Sequence, residues 1–404
     1  MKNSQACQRG RRPGRFSELL VAALSMTVTI ASADTEMLVA VPAPEWTALF
    51  DREHDWTGAD GIFSIPLNGR EDGEAHGPNF RTLILFSDTA IGEVGSSAER
   101  LDGTTLVNNT LAVLRGTEPR ADRIEFLWGG KITGESAAVF VPETPMAQDG
   151  EWYWLGDGVA IGDLVHILAI RMRKTEDAVF GFATSGVNLL TLDLTRPHPL
   201  ALQQQRDTPF FRAPEGDHGD LTFGSGILVN TEEAGAPNAD GFIYVYGVRN
   251  DLSKKLMAAR VRPDLFTNFD AWRFWDGGGW SAQLDDAAPI TDQISNELSV
   301  SPLADGTYAL VFQVGGITAD VGVRFGDSPV GPFGDINTIY HASEPSTDPE
   351  TFVYNAKAHP HLSKPGELLI SYNVNTFDFY GDFFKDSDIY RPRFIRLKLV
   401  ATGH

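Results

Sequence analysis

Four carboxylates stand where short apolar runs begin or end: Asp60 in WTGADGIFSIPL, Asp88 in LFSDT, Asp157 in WLGDGVAIG and Glu297 in SNELSV. Two such groups on either side of a sugar could hydrolyse a glycosidic bond. One protonates the leaving oxygen, and the other attacks or activates a water. Like charges held close push one pKa up, which supplies the acid. We assign Asp60 as nucleophile or base and Glu297 as acid. Asp157 holds the substrate or tunes the acid, and Asp88 is near enough to be a fourth member.

Neighbouring residues supply binding chemistry. Trp56 beside Asp60, and Trp152, Tyr153 and Trp154 before Asp157, offer ring faces to a sugar. Asn108 and Asn109 in LVNNTLAVL, together with Ser225, Asn355 and His359, are expected to contact substrate. The plainer readings stand beside these. An Asp next to Gly is also a turn-former whose side chain bonds backbone N–H groups. Glu is a poor turn-former, which makes Glu297 the stronger candidate. The tryptophans of WRFWDGGGW (272–280) read as outer packing. His359 and His361 alternate as on one strand face and could bind a metal, but a structural or substrate-contact role is preferred. The acidic run DFYGDFFKDSD offers Asp378, Asp382, Asp386 and Asp388 to calcium, without the spacing of an EF-hand loop. No cofactor is expected, with calcium the one candidate. The chain has no P-loop, dinucleotide glycine pattern, HExxH or GxSxG.

The elements that position these groups are strands. TLILFSD, VHILAIRMR, GFIYVYGV, YALVFQVG, ELLISYNV and RFIRLKL alternate or run apolar between Gly, Asp, Asn and Pro, and convincing amphipathic helices are scarce; the best, Pro44 to Phe50, is short. Five segments share a small or acidic turn leading into a strand and then a hairpin partner: 58–67, 155–168, 222–230, 295–312 and 354–372. This repeat suits a five-bladed β-propeller, with six blades as the other count. Each innermost strand would start at the same face, so that Asp60, Asp88, Asp157, Ser225, Glu297, Asn355 and His359 converge on one funnel. No linker divides the chain, so residues 34–404 read as a single domain.

Residues 1–33 read as a signal peptide: Lys2, Arg9, Arg11, Arg12 and Arg15, then an apolar run from Leu19 to Ile30, then Ala31-Ser32-Ala33. A membrane anchor is the alternative. The protein is expected to be secreted or periplasmic, with no membrane partner after cleavage. Its one cysteine, Cys7, would leave with the leader. The net charge of −21 argues against nucleic acid as a partner and suits a neutral polar substrate or plain solubility.

WTGADGIFSIPL, LFSDTAIGEV, LVNNTLAVL, WLGDGVAIGDLVHIL, NELSVSPL and YNAKAHPHL resemble the motifs of an uncharacterised family of secreted bacterial five-bladed propellers related to propeller glycoside hydrolases, including endo-D-arabinanases. The resemblance covers nearly all of the chain beyond the leader, more loosely in the later blades. It implies a five-bladed fold and a carbohydrate substrate without fixing which one. Asp60, Asp88, Asp157 and Glu297 carry over as candidates only. Three functions stay open: a hydrolase acting on a furanoside or similar glycan, a non-catalytic propeller that binds carbohydrate or protein, and a sugar lyase using His359, Lys357 or a Tyr as base.

Overall fold

The computed structural model describes residues 38–73, 77, 79–129, 136–176 and 181–399. The expected leader and Cys7 lie outside them. By its contacts the chain divides into Met1–Met37 and Leu38–His404, and every strand described below belongs to the second unit.

The fold is all-β. The β-branched and aromatic runs form antiparallel strands, and Gly, Asp and Asn close the hairpins between them. Sheet one runs Phe63–Pro66, Arg81–Phe86, Thr110–Arg115 and Ile124–Leu127. Sheet two runs Trp152–Ile161, Leu164–Lys174, Phe182–Asp193 and Gln204–Asp207. Sheet three is built on Leu221–Asn230, Phe242–Arg249, Lys255–Val261 and Arg273–Trp275. Sheet four runs Leu298–Pro302, Tyr308–Gln313, Asp320–Gly326 and Asn337–His341. Sheet five has Thr351–Ala358, Glu367–Thr376 and Arg393–Lys398, and its outermost strand is Ala40–Pro42 from the other end of the chain. The short helix Pro44–Thr47 comes next, with Pro44 in its first turn, where no intrahelical N–H is needed.

The sheets pack in sequence order. Ile65 and Leu85 of sheet one share a core with Leu155 and Ile167 of sheet two. Leu168 and Val187 meet Phe223 and Val245 of sheet three. Tyr246 meets Leu298 and Phe312 of sheet four. Val311 and Val323 meet Val353 and Ile370 of sheet five. Leu369 and Phe394 of sheet five return to Ile84 and Phe86 of sheet one. Each large side chain buried in this way is worth about 1.5–3 kcal/mol. The first strands approach closely: a Cβ on Gly156 would lie 2.5 Å from the Gly224 carbonyl oxygen, and one on Gly226 would lie 2.6 Å from that of Leu298.

Sheet one departs from the expected arrangement. Its strands do not end at a rim near Asp60 and Asp88. They break there and continue as a separate three-stranded sheet, His54–Ala59, Thr89–Glu93 and Thr105–Val107. Asp60, Asp88 and Asn108 all lie on this line of breaks.

Candidate active site

The break explains why polar side chains can sit among buried strands. Asp60 N–H donates to the Asp88 carbonyl and Ser87 N–H to the Asp60 carbonyl, so the two acids are fixed side by side. The Asp88 carboxylate accepts from Trp154 Nε1 at 2.9 Å and from Asn108 Nδ2 at 3.1 Å. Burial pushes its pKa up to about 6 against the pull of those two donors. Asp60 accepts from the Tyr354 hydroxyl at 2.8 Å through Oδ2, and the Tyr390 phenol meets the same carboxyl. Burial first, and the Asp88 charge second, hold the Asp60 carboxyl well above the usual carboxylate range.

Glu297 comes to the same place from sheet four. Its Oε1 accepts from Asn355 Nδ2 at 2.8 Å, and its Oε2 forms an ion pair with Lys357 Nζ. That lysine side chain is 2% exposed and lies over the Phe63 ring, 4.4 Å from its centroid. Burial raises the Glu297 pKa and the Lys357 ammonium opposes the rise. Asp60, Asp88, Glu297 and Asp157 are thus four acids with one buried ammonium among them.

A distortion in the first strand of sheet five makes this convergence possible. In a regular strand Tyr354 and Asn355 would face opposite ways. The pairing slips between Tyr354 and Lys357, and Asn355 takes a left-handed φ of 60°, a conformation Asn tolerates better than most residues. The slip lets Tyr354 serve Asp60 while Asn355 and Lys357 serve Glu297. Similar slips flank Asp157 in sheet two and Ser225 in sheet three.

Several expected residues hold other posts. Trp56 is fully buried against Phe50, Phe86 and Phe126, and its Nε1 donates to Thr110 Oγ1; it has no face for a sugar. Asn109 is fully buried and ties down the chain at Phe140 and Tyr153 through three hydrogen bonds. Both corrections have one cause: Trp and Asn next to strand breaks serve packing as readily as binding. Ser225 is buried in its bulge. His359 is buried between Ser64 Oγ at 2.7 Å and Ser371 Oγ at 2.8 Å, bridging sheets one and five. Burial drives its pKa well below normal, so it stays neutral.

Asp157 accepts from Gly158 N–H and, across to sheet three, from Ile227 N–H at 2.6 Å. Burial raises its pKa to about 7. It lines a cavity of ≈ 30 Å³ with Ser64, Glu71, Ser301, Lys357 and His359. Trp154 stands at the site as the donor to Asp88, with Phe182 edge-on to it at 4.7 Å. Of the acidic run, Asp378 and Asp382 gather with Glu350. Asp386 instead bonds the Asp388 N–H, and Asp388 bonds Arg391. Sequence reasoning missed Tyr354 and Tyr390 as site residues, and gave Lys357 only to the lyase alternative. Tyr390 belongs to the cluster: burial first and the Asp60 charge second raise its phenol pKa. For Lys357 a signal existed: it is the one cation in YNAKAHPHL.

Among solved structures, a protein of Bacteroides ovatus, provisionally named a hydrolase, shares the fold with a TM-score of 0.66 at 22% identity, over 92% of this chain and 97% of that one. Looser likenesses are a GH43_1 enzyme of Xanthomonas citri complexed with xylotriose (TM-score 0.42, 14% identity, 91% and 92% covered) and the catalytic domain of a GH62 α-L-arabinofuranosidase of Coprinopsis cinerea (0.42, 11%, 85% and 97%). No curated protein sequence matches. The model of a domain family of unknown function, DUF5005, matches residues 44–399, most of the chain, and the protein belongs to that family.

Proposed function

We propose that the protein is a glycoside hydrolase built as a five-bladed propeller, with Asp60 and Glu297 as its acid–base pair. The architecture is supported by five sheets whose first strands neighbour one another in order and whose last sheet packs on the first. One observation carries the chemistry. Asp60 and Glu297 come from sheets far apart in the sequence, yet adjacent residues of one strand, Tyr354 and Asn355, hold them.

Their surroundings divide the roles. Asp60, buried beside Asp88 with its carboxyl held well above the usual range, is suited to protonate a leaving oxygen. Glu297, whose rise is opposed by the paired Lys357 ammonium, is the more easily ionised of the two and is suited to attack the anomeric carbon or activate water. This reverses the roles read from the sequence. Asp88 raises the acid's pKa, and Trp154 orients Asp88. Asp157, with both oxygens held by backbone N–H groups, tethers sheets two and three and has little left for substrate. That tethering is also what a non-catalytic glycan-binding propeller would show, and the experiment separates the two readings.

Purified protein is assayed on polysaccharides and on aryl glycosides with good and poor leaving groups. Asp60→Asn should lose roughly 10²–10⁴-fold on poor leaving groups and far less on good ones. Glu297→Gln should lose a similar factor on both, with azide restoring turnover. Activity that survives both substitutions refutes the proposal. Retention of a polysaccharide without product release supports the binding reading instead.

A further inference from the structure

The loop that follows the second strand of sheet five carries large apolar side chains into solvent. Phe377 is 64% exposed and Tyr380 is 88% exposed. Exposed aromatics at this density mark binding surfaces more often than chance. Phe377 does not stand alone: its ring packs 4.7 Å from that of Phe352, which lies 5.4 Å from Tyr354, the residue bonded to Asp60. Phe352 and Tyr354 are two apart on one strand and therefore share a face. The Phe377 N–H donates to the Glu350 carbonyl at 2.9 Å, which fixes the outer end of this row to the start of the same strand.

We propose that the Phe352–Phe377 row is an outer subsite on which a neutral glycan chain stacks as it leads to Asp60. Two ring-to-ring steps reach past a single sugar, so the ligand is an oligomer or polymer and not a simple glycoside. Sugar rings present C–H faces to aromatic rings, and Phe377, Phe352 and Tyr354 follow one another at tilts of 37° and 48°. The charge beside the track selects among glycans. Glu350, Asp378 and Asp382 bring carboxylate oxygens within 4.8 Å of one another next to Phe377. They can accept from sugar hydroxyls, and they repel uronic acids and other anionic chains. The inference rests on the hydrolase reading only for the bond that is cleaved; binding on the track stands apart from it.

Affinity electrophoresis in gels containing linear arabinan, xylan or polygalacturonate tests the binding. The wild type should be retarded in at least one neutral gel and not by polygalacturonate. Phe377→Ala should weaken that retardation about tenfold, the worth of one aromatic contact, and Phe377→Trp should keep it. On substrates, Phe377→Ala should lower kcat/KM about tenfold for the polysaccharide and leave a small aryl glycoside unchanged. Equal retardation of wild type and Phe377→Ala overturns the proposal. So does wild type passing both neutral gels freely, retardation by polygalacturonate, or an equal loss on the aryl glycoside. A wild-type dimer that Phe377→Ala turns into a monomer in sedimentation would make the row a contact between copies, which also overturns it. If no substrate is cleaved at all, the hydrolase reading fails while the gels still decide the subsite.

Discussion

Replacing Lys357 by Met should make the stability of this protein depend on pH in a specific way. The lysine side chain is 2% exposed and that of Glu297 14%, so the pair is screened weakly by water. Met keeps most of the stem's volume, and the packing loss should stay below about 1.5 kcal/mol. The electrostatic loss is larger. Without the ammonium, Glu297 keeps the Asn355 amide as a hydrogen-bond donor, and Asp60 is nearby. Its pKa, already raised from 4.5 by burial, climbs further because the opposing effect of Lys357 is gone. A carboxyl whose folded pKa is raised holds its proton in the folded state after the unfolded chain has released it. Stability is therefore intact below the ordinary carboxyl pKa and falls as pH rises towards the folded value, by about 1.4 kcal/mol per unit. Breaking a buried pair by removing one partner typically costs about 3–5 kcal/mol, and that full loss is expected at pH 8. Urea unfolding at pH 5 and pH 8 measures it. The double variant Lys357→Met with Glu297→Gln removes both charges and should recover most of the pH 8 loss. An equal loss at the two pH values, or a double variant no better than Lys357→Met alone, would show that the pair does not set the charge on Glu297.

Two further outcomes come from the way sheet five is closed. Deleting residues 38–42 removes the outermost strand, which pairs Ala40 with Leu397 and Pro42 with Ile395; the loss should be about 2–4 kcal/mol in urea unfolding, with the Asp60–Glu297 cluster left in place. His359 is buried neutral, so folding holds its pKa below the ordinary 6.5 and the unfolded chain takes up a proton first as pH falls. Stability should therefore decline below about pH 6.5, and His359→Gln should flatten that decline in thermal melts between pH 7 and pH 4.5.

Much of the fold was legible because its information is local. The five aligned segments contain or overlap the first strands of sheets one to five, and TLILFSD, LVHILAI, FIYVYGV, YALVFQV and ELLISYN mark their hairpin partners. A turn and two alternating strands lie within a few tens of residues, so the pattern records them. The strand Ala40–Pro42 was not legible. Three residues have no period, and their partner Arg393–Lys398 lies at the far end of the chain. The break that turns sheet one into two sheets was hidden as well. ADG and FSDT look like the ends of strands, when in fact strands resume on their far side.

The site divides along the same line. Asp60, Asp88 and Glu297 could be picked out because acids beside apolar runs are conspicuous, but their roles could not be assigned. A carboxyl acts as acid or base according to what packs against it. Here that is decided by Lys357, Asn355 and Tyr354 of one strand, and by a bulge that turns all three to the same side. A regular strand would have sent Asn355 and Lys357 away from Tyr354, leaving either Asp60 or Glu297 without its partner. The bulge therefore gives two otherwise similar acids different partners, a phenol for Asp60 and an amide with an ammonium for Glu297, which is the difference the proposed roles rest on. Deleting Ala356 should restore regular pairing with Lys357 two residues from Tyr354 on one face and only Asn355 turned away. Glu297 should then keep its ammonium and lose the Asn355 amide, and urea unfolding at pH 5 and pH 8 should show a smaller pH-dependent loss than Lys357→Met.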